Sequence, residues 1–234
     1  MNSASFVLER VTQPDIEPVT LAEMIQHVRE FTSISAASQT ELSKLITASR
    51  EWVEDYTGRA LIDQTWKLTI QGRSGGYAGG DIVGGTRDVA LPAGYGYYQG
   101  LWTWGKPGEI SLRKGPVLAI TAFALVNADG TETAISSSTY ELREAKSKWP
   151  RIVALNGATW SNWLTGDLRI TFRAGFADRL GSPQQGAEMV PERFKQALKL
   201  WGEANYDRDP VLMQKLLDAA ERVIKFERRD IQFA

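Results

Sequence analysis

The sequence predicts an α+β fold: an N-terminal helical hairpin and C-terminal helices packed with a small antiparallel β-sheet or sandwich, carrying a Gly/aromatic-rich insertion. Three observations predict it. Apolar residues recur at helical spacing near both ends of the chain. Between them, short alternating runs are separated by turn residues, the mark of strands. Residues 72–108 fit neither pattern and hold 12 of the 21 glycines.

The first helix follows Pro18, where the chain is still extended. Thr20 and Glu23 have the spacing of a capping box, in which hydroxyl and carboxylate each satisfy an amide of the first turn. Leu21, Met24, Ile25 and Val28 then fall on one face. His27, the sole histidine, lies off that face and is expected in solvent or at an interface. Ser33–Thr40 reads as a small polar connector. Ser38 and Glu41 repeat the capping-box spacing before a second helix. There Leu42, Leu45, Ile46, Ser49, Trp52, Val53 and Tyr56 form one stripe, and Gly58 supplies a left-handed stop. Leu45, Trp52, Val53 and Tyr56 are the expected structural core of this helix. Glu51, Glu54 and Asp55 fall off the stripe and read as a solvated face, not as an acid–base pair. The apolar faces exceed what two helices can bury against each other, so this module calls for a sheet or a neighbouring subunit.

Thr65–Gln71 alternates with Trp66, Leu68 and Ile70 on one side, a strand. Residues 72–108 read as a long insertion with a short strand near Asp88–Leu91. A structureless stretch of this length is uncommon in a compact domain. Its cluster Tyr95, Tyr97, Tyr98, Trp102 and Trp104 suits an interface or packing onto the parent sheet; the residues alone leave both readings open. Strands are expected at Glu109–Leu112, Val117–Val126, Thr131–Ile135, Thr139–Arg143, Arg151–Leu155 and Asp167–Arg173. Asn127-Ala128-Asp129-Gly130 is a hairpin turn with glycine where positive φ is wanted. Pro191 opens a helix with Phe194, Leu198, Trp201 and Asn205 on its face. Asp207-Arg208-Asp209-Pro210 breaks it. A last helix spans roughly 210–226, striped by Met213, Leu216, Leu217, Ala220, Val223 and Ile224. The end of the chain mixes charge with Phe226, Ile231 and Phe233, a composition suited to adding onto a partner surface. The expected organisation is thus one domain over 1–234, with a helical pair at 17–58, β regions at 64–71 and 109–176, the 72–108 insertion, helices at 190–226 and a tail at 227–234.

Composition narrows the chemistry. The net charge of −1 gives no basic field for gripping nucleic acid. The absence of cysteine excludes disulfides, thiolate catalysis and cysteine-based zinc sites. With one histidine there is no Ser-His-Asp triad and no two-histidine metal site. Gly100–Lys106 superficially matches a phosphate-binding loop, but Pro107 replaces the hydroxyl residue that would hold magnesium. Two carboxylates would suffice for a glycosidase, yet nothing singles out such a pair. No cofactor is expected. The N-terminus lacks the long apolar core of a signal peptide. No apolar run is long enough to span a bilayer, so no membrane partner is expected.

The order of local patterns is itself informative. Pro18-Val-Thr-Leu-Ala-Glu23 is followed by Ala48-Ser-Arg-Glu-Trp-Val-Glu-Asp-Tyr-Thr-Gly-Arg-Ala-Leu61 and Gln64-Thr-Trp66. Then come Lys114-Gly-Pro-Val117, Asn127-Ala-Asp-Gly-Thr131, Ile170-Thr-Phe-Arg-Ala-Gly-Phe176 and Val190-Pro-Glu192. This arrangement resembles the head–tail connector proteins of tailed bacteriophages and gene-transfer agents, also called head-completion adaptors. The resemblance covers about 17–71 and 109–206 and is most specific at Glu51–Trp66. It implies a non-enzymatic virion protein of the neck, assembled in the bacterial cytoplasm. Such a protein forms a cyclic, usually twelvefold ring of itself. The ring binds the portal protein on one side and a stopper or tail protein on the other. Double-stranded DNA passes through its lumen without sequence-specific binding, and the near-zero charge agrees with such a conduit. The resemblance also implies that the C-terminal segment docks on the portal, which assigns that role to Phe226, Arg228, Arg229, Ile231 and Phe233. Tyr95, Tyr97, Tyr98, Trp102 and Trp104 are then candidates for the tail-side or inter-subunit contact. The 72–108 insertion departs from the pattern, and the end after Tyr206 agrees only in position and character. A different class of function, a carbohydrate- or ligand-binding β-domain, would use the same Tyr/Trp loop as a stacking platform for sugar faces.

Overall fold

The computed structural model describes residues 6–28, 35–70, 109–127, 129–155, 167–176, 187, 189–206 and 209–227. The five rings of the insertion and Arg228, Arg229, Ile231 and Phe233 lie outside the described residues. The order of elements is β1 (Phe6–Arg10), α1 (Leu21–His27), α2 (Ala36–Thr57), β2 (Gln64–Ile70), β3 (Glu109–Ser111), β4 (Val117–Val126), β5 (Glu132–Ala134), β6 (Tyr140–Arg143), β7 (Arg151–Ala154), β8 (Asp167–Ala174), α3 (Glu192–Tyr206) and α4 (Pro210–Ile224). The fold is α+β, as the sequence predicts.

Local chemistry sets the helix boundaries. At α1 the capping box forms: the Glu23 amide donates to Thr20 Oγ1 at 3.2 Å, and the Thr20 amide donates to Glu23 Oε2 at 2.7 Å. α2 begins one turn earlier than Ser38 and Glu41 predict. Ser35 is its cap, accepting from the Ser38 amide at 3.1 Å, so most of the expected connector is helical. The earlier cap wins because it adds a full turn of backbone hydrogen bonds while still satisfying an N-terminal amide. Gly58 ends α2 in the left-handed conformation, φ 68°. α4 starts with Pro210 at its first position behind Asp209, whose carboxylate accepts from the Val211 amide at 2.9 Å.

Two antiparallel sheets form. The first has strand order β1-β2-β8-β4-β5 and the second β3-β7-β6. β1 is a strand the sequence pattern does not announce: it runs as an edge against β2, with Arg10 opposite Trp66. β2 and β8 alternate strictly, so Trp66, Leu68 and Ile70 share a buried face with Leu168, Ile170 and Phe172. These side chains meet Ile110, Leu112 and Ile152 of the smaller sheet region in one core. Burying a side chain such as Phe172 contributes about 1.5–3 kcal/mol.

A second core lies between the helices. Met24 of α1, Leu42, Ile46 and Val53 of α2, Phe194, Ala197 and Leu198 of α3 and Ile224 of α4 are buried together, with Leu61 and Ile62 joining from the α2–β2 connection. The partner for the α2 stripe is therefore the chain's own C-terminal helices. Two sequence expectations shift here. Asn205 is exposed and bonds back to the Trp201 carbonyl at 2.8 Å, while Ala204 takes the buried place beside it. Met213 is exposed, because α4 buries only Ala220 and Ile224 completely. Elsewhere the predicted faces hold: Phe194 and Leu198 are buried in α3, and Leu216, Leu217, Ala220, Val223 and Ile224 are inward positions of α4.

Candidate interface and the buried ionic cluster behind it

The Glu54 side chain reads in the sequence as part of a solvated face, and the structure corrects this: it is 0 % exposed. Its Oε1 accepts from the Leu61 amide at 2.8 Å and from Gln64 Nε2 at 2.6 Å. Its Oε2 accepts from Arg50 Nη1 at 3.1 Å and from Arg10 Nη2 at 3.3 Å. The Lys114 ammonium donates to the Glu54 carbonyl at 3.1 Å. Arg50, 2 % exposed, is held from its other side by Glu17 Oε2 at 2.8 Å. The Trp66 ring roofs the cluster, 5.2 Å from the Arg10 guanidinium carbon and 4.8 Å from Lys114 Nζ. β1, α2, β2 and the segment before β4 are thus tied at one residue, Glu54.

The electrostatics follow from burial. Loss of solvent pushes the Glu54 carboxyl above the usual carboxylate range, against the pull of Arg50, the Leu61 amide, Lys114 and Arg10. Burial also opposes the charge on Arg50, but Glu54, Glu17 and Glu51 outweigh it and hold the guanidinium more firmly charged than usual. Both carboxylate oxygens of Glu54 accept hydrogen bonds, and the arrangement joins elements.

A second ionic feature sits where the described chain ends. Glu227 follows α4 in a short turn, Lys225–Glu227. Its Oε2 accepts from Arg59 Nη2 at 2.9 Å, and its Oε1 lies 2.5 Å from Arg193 Nη2. Arg59 stands just after the Gly58 stop and Arg193 in the first turn of α3. Each guanidinium lies over a phenylalanine, Arg59 at 5.8 Å from the Phe176 ring and Arg193 at 5.2 Å from the Phe194 ring, and these rings touch at 5.7 Å. Beside this clamp Phe226 is 90 % exposed.

The structure places the other sequence-predicted residues as follows. Val53 is buried in the helical core, and Leu45, Trp52 and Tyr56 pack half-buried against it. Trp52 stacks on Trp201 with ring centroids 6.1 Å apart. His27 is half-buried, its Nε2 3.0 Å from Glu203 Oε2, where it joins α1 to α3. Among the described residues no group of three or more His, Cys, Asp or Glu side chains could hold a metal ion. No described helix is long and apolar enough to cross a membrane. Sequence reasoning missed Arg10, Glu54, Lys114 and Glu227. For Glu54 a signal was present: Arg50 one turn before it, at the spacing of a helical ion pair.

The fold and these features define an α+β scaffold whose charged clusters join its elements. Solved structures give that scaffold a more particular setting. A chain in the virion of a native gene transfer agent particle superposes with TM-score 0.59 at 22 % identity, covering 91 % of this chain and 93 % of its own. A chain in the neck of an empty gene transfer agent particle, computed with C6 symmetry, gives TM-score 0.59 at 22 % identity over 92 % of this chain and 94 % of its own. A chain in the neck of a native particle, computed with C12 symmetry, gives 0.51 at 22 % identity with the same coverage, 92 % and 94 %. This chain shares their fold over nearly its whole length. No family model and no curated protein sequence matches it.

Proposed function

We propose that this chain is a structural, non-enzymatic subunit of a ring-shaped adaptor in the neck of a tailed-phage or gene-transfer-agent particle. The ring joins the portal vertex of the head to the tail or stopper and encloses part of the DNA path. The observation that carries this reading is the fold shared with chains of gene transfer agent virions and necks over 91 % or more of this chain. Neck particles computed with C6 and C12 symmetry support a cyclic arrangement, and a closing ring satisfies a subunit that presents different surfaces to its two neighbours. The net charge of −1 suits a conduit that must release DNA rather than grip it. Phe226, with the tail that follows it, is assigned to portal docking, and the aromatic cluster 95–104 to tail-side or inter-subunit contact.

Mass photometry of the purified chain, alone and mixed with the portal protein encoded beside it, tests the reading. A discrete rise in portal mass matching a ring of added subunits is the expected result. Deleting residues 226–234 should leave a folded protein that no longer attaches. Absence of association with a properly assembled portal would overturn the adaptor role.

A further inference from the structure

The geometry points to Arg59, Arg193 and Glu227 as a latch that fixes the end of α4 and holds Phe226 outward as a pre-organised anchor for an apolar, acid-rimmed pocket on the portal-type partner; this inference rests on the adaptor reading above.

Phe226 is 90 % exposed, and burying a ring of this size on a partner would contribute about 1.5–3 kcal/mol. The next residue holds the turn in place. Glu227 is gripped from two directions, at 2.9 Å by Arg59 and at 2.5 Å by Arg193. Those arginines come from different helical units, so the turn is fixed relative to both α2 and α3. The arginines are themselves seated on the contacting pair Phe176 and Phe194. The clamp therefore fixes the backbone position from which Phe226 projects. The backbone ordering that binding would otherwise require is already in place in the free protein, which is how pre-organisation gains affinity.

The charge around the ring specifies the partner's chemistry. Arg59 and Arg193 share one carboxylate, and exposed Arg222 and Lys225 flank Phe226 on its own element. Among the described residues from 221 onward, Glu221 and Glu227 oppose them. A complementary pocket is apolar at its base and acidic at its rim, so added salt should weaken docking.

The test uses full-length protein and assembled portal rings, with binding followed by mass photometry and local order by amide hydrogen exchange. Glu227→Gln and Arg193→Gln should each weaken decoration roughly tenfold and raise exchange over residues 222–227, with the thermal midpoint nearly unchanged. Arg193→Lys should restore part of the loss. Phe226→Ala should weaken docking as much, and Glu227→Gln should add nothing further in that background, because the latch acts through the ring. Wild-type decoration matched by Glu227→Gln and Arg193→Gln would overturn the latch and leave the adaptor reading intact. Additive losses in the double variant would also overturn it. A wild-type protein that fails to decorate portals would overturn the adaptor reading and this inference together.

Discussion

The Glu54 carboxylate lies 3.1 Å from the Arg50 guanidinium one turn earlier on the same helix, and both side chains are sealed from solvent. Pairs at this spacing on a helix surface contribute only a few tenths of a kcal/mol. Buried, the same pair becomes a commitment: neither charge is tolerable without the other.

Glu54→Gln should therefore cost about 1–3 kcal/mol, because an amide nitrogen would replace one of the two oxygens that accept from the Leu61 amide, Gln64, Arg50 and Arg10. Urea denaturation measures the loss. The pH dependence has a definite sign. The folded-state pKa of Glu54 is raised, so the fold takes up this proton more readily than the unfolded chain does. Stability contributed by this group falls as pH rises from the ordinary carboxylate value through the raised one. The advantage of wild type over Glu54→Gln should therefore widen on acidification through this range, and an advantage that narrows toward acid would refute the assignment.

Glu23 shifts the other way. The hydrogen bond from the Thr20 backbone holds its carboxyl below the ordinary carboxylate value of 4.5. The contribution of the capping box is thus present above that value and is lost as pH falls through the lowered pKa. The protection of the Thr20 and Glu23 amides, relative to the intrinsic exchange rate at each pH, should fall on that descent. Thr20→Ala removes the hydroxyl but keeps the residue-20 amide, so it should weaken the pH dependence without abolishing it and cost about 1 kcal/mol.

Gly130 and Gly175 separate conformational strain from collision. Both have positive φ, 84° and 148°. A Cβ on Gly130 meets nothing within 4 Å, so Gly130→Ala should cost only about 1 kcal/mol. A Cβ on Gly175 would sit 2.4 Å from the Ile62 backbone carbonyl. Gly175→Ala should cost about 3 kcal/mol or more, because the link between the β8 end and the α2–β2 connection must open. Thermal unfolding of the two variants side by side decides this. Equal losses would show that the contact at Gly175 is slack.

Trp52 and Trp201 join α2 to α3 by their stacked rings. A double-mutant cycle with Trp52→Ala and Trp201→Ala should give a coupling of about 0.5–1.5 kcal/mol. A coupling near zero would mean that each ring packs independently.

Much of this architecture is legible in local spacing. The Thr20–Glu23 box, the Gly58 stop, the Asp209-Pro210 start and the alternation of β2 and β8 are one-dimensional signals, and the structure realises each. The start of α2 illustrates a limit, since Ser35 and Ser38 offer competing caps and the longer helix wins. β1 illustrates another. Phe6–Arg10 has no alternation strong enough to announce a strand, and it forms because the β2 edge is there to pair with.

For the candidate interface the division is sharper. Sequence alone determined that the chain carries two helical modules around a β region, that thiol and multi-histidine chemistry are absent, and that Phe226 stands among charges near the C-terminus. Tertiary structure alone decided that Glu54 is buried and that Glu227 is clamped. In both cases the deciding partners, Arg10 and Lys114 for Glu54, Arg59 and Arg193 for Glu227, are distant in sequence. Periodicity reports which face of an element is apolar. It does not report which distant charge will be brought over that face when the elements close.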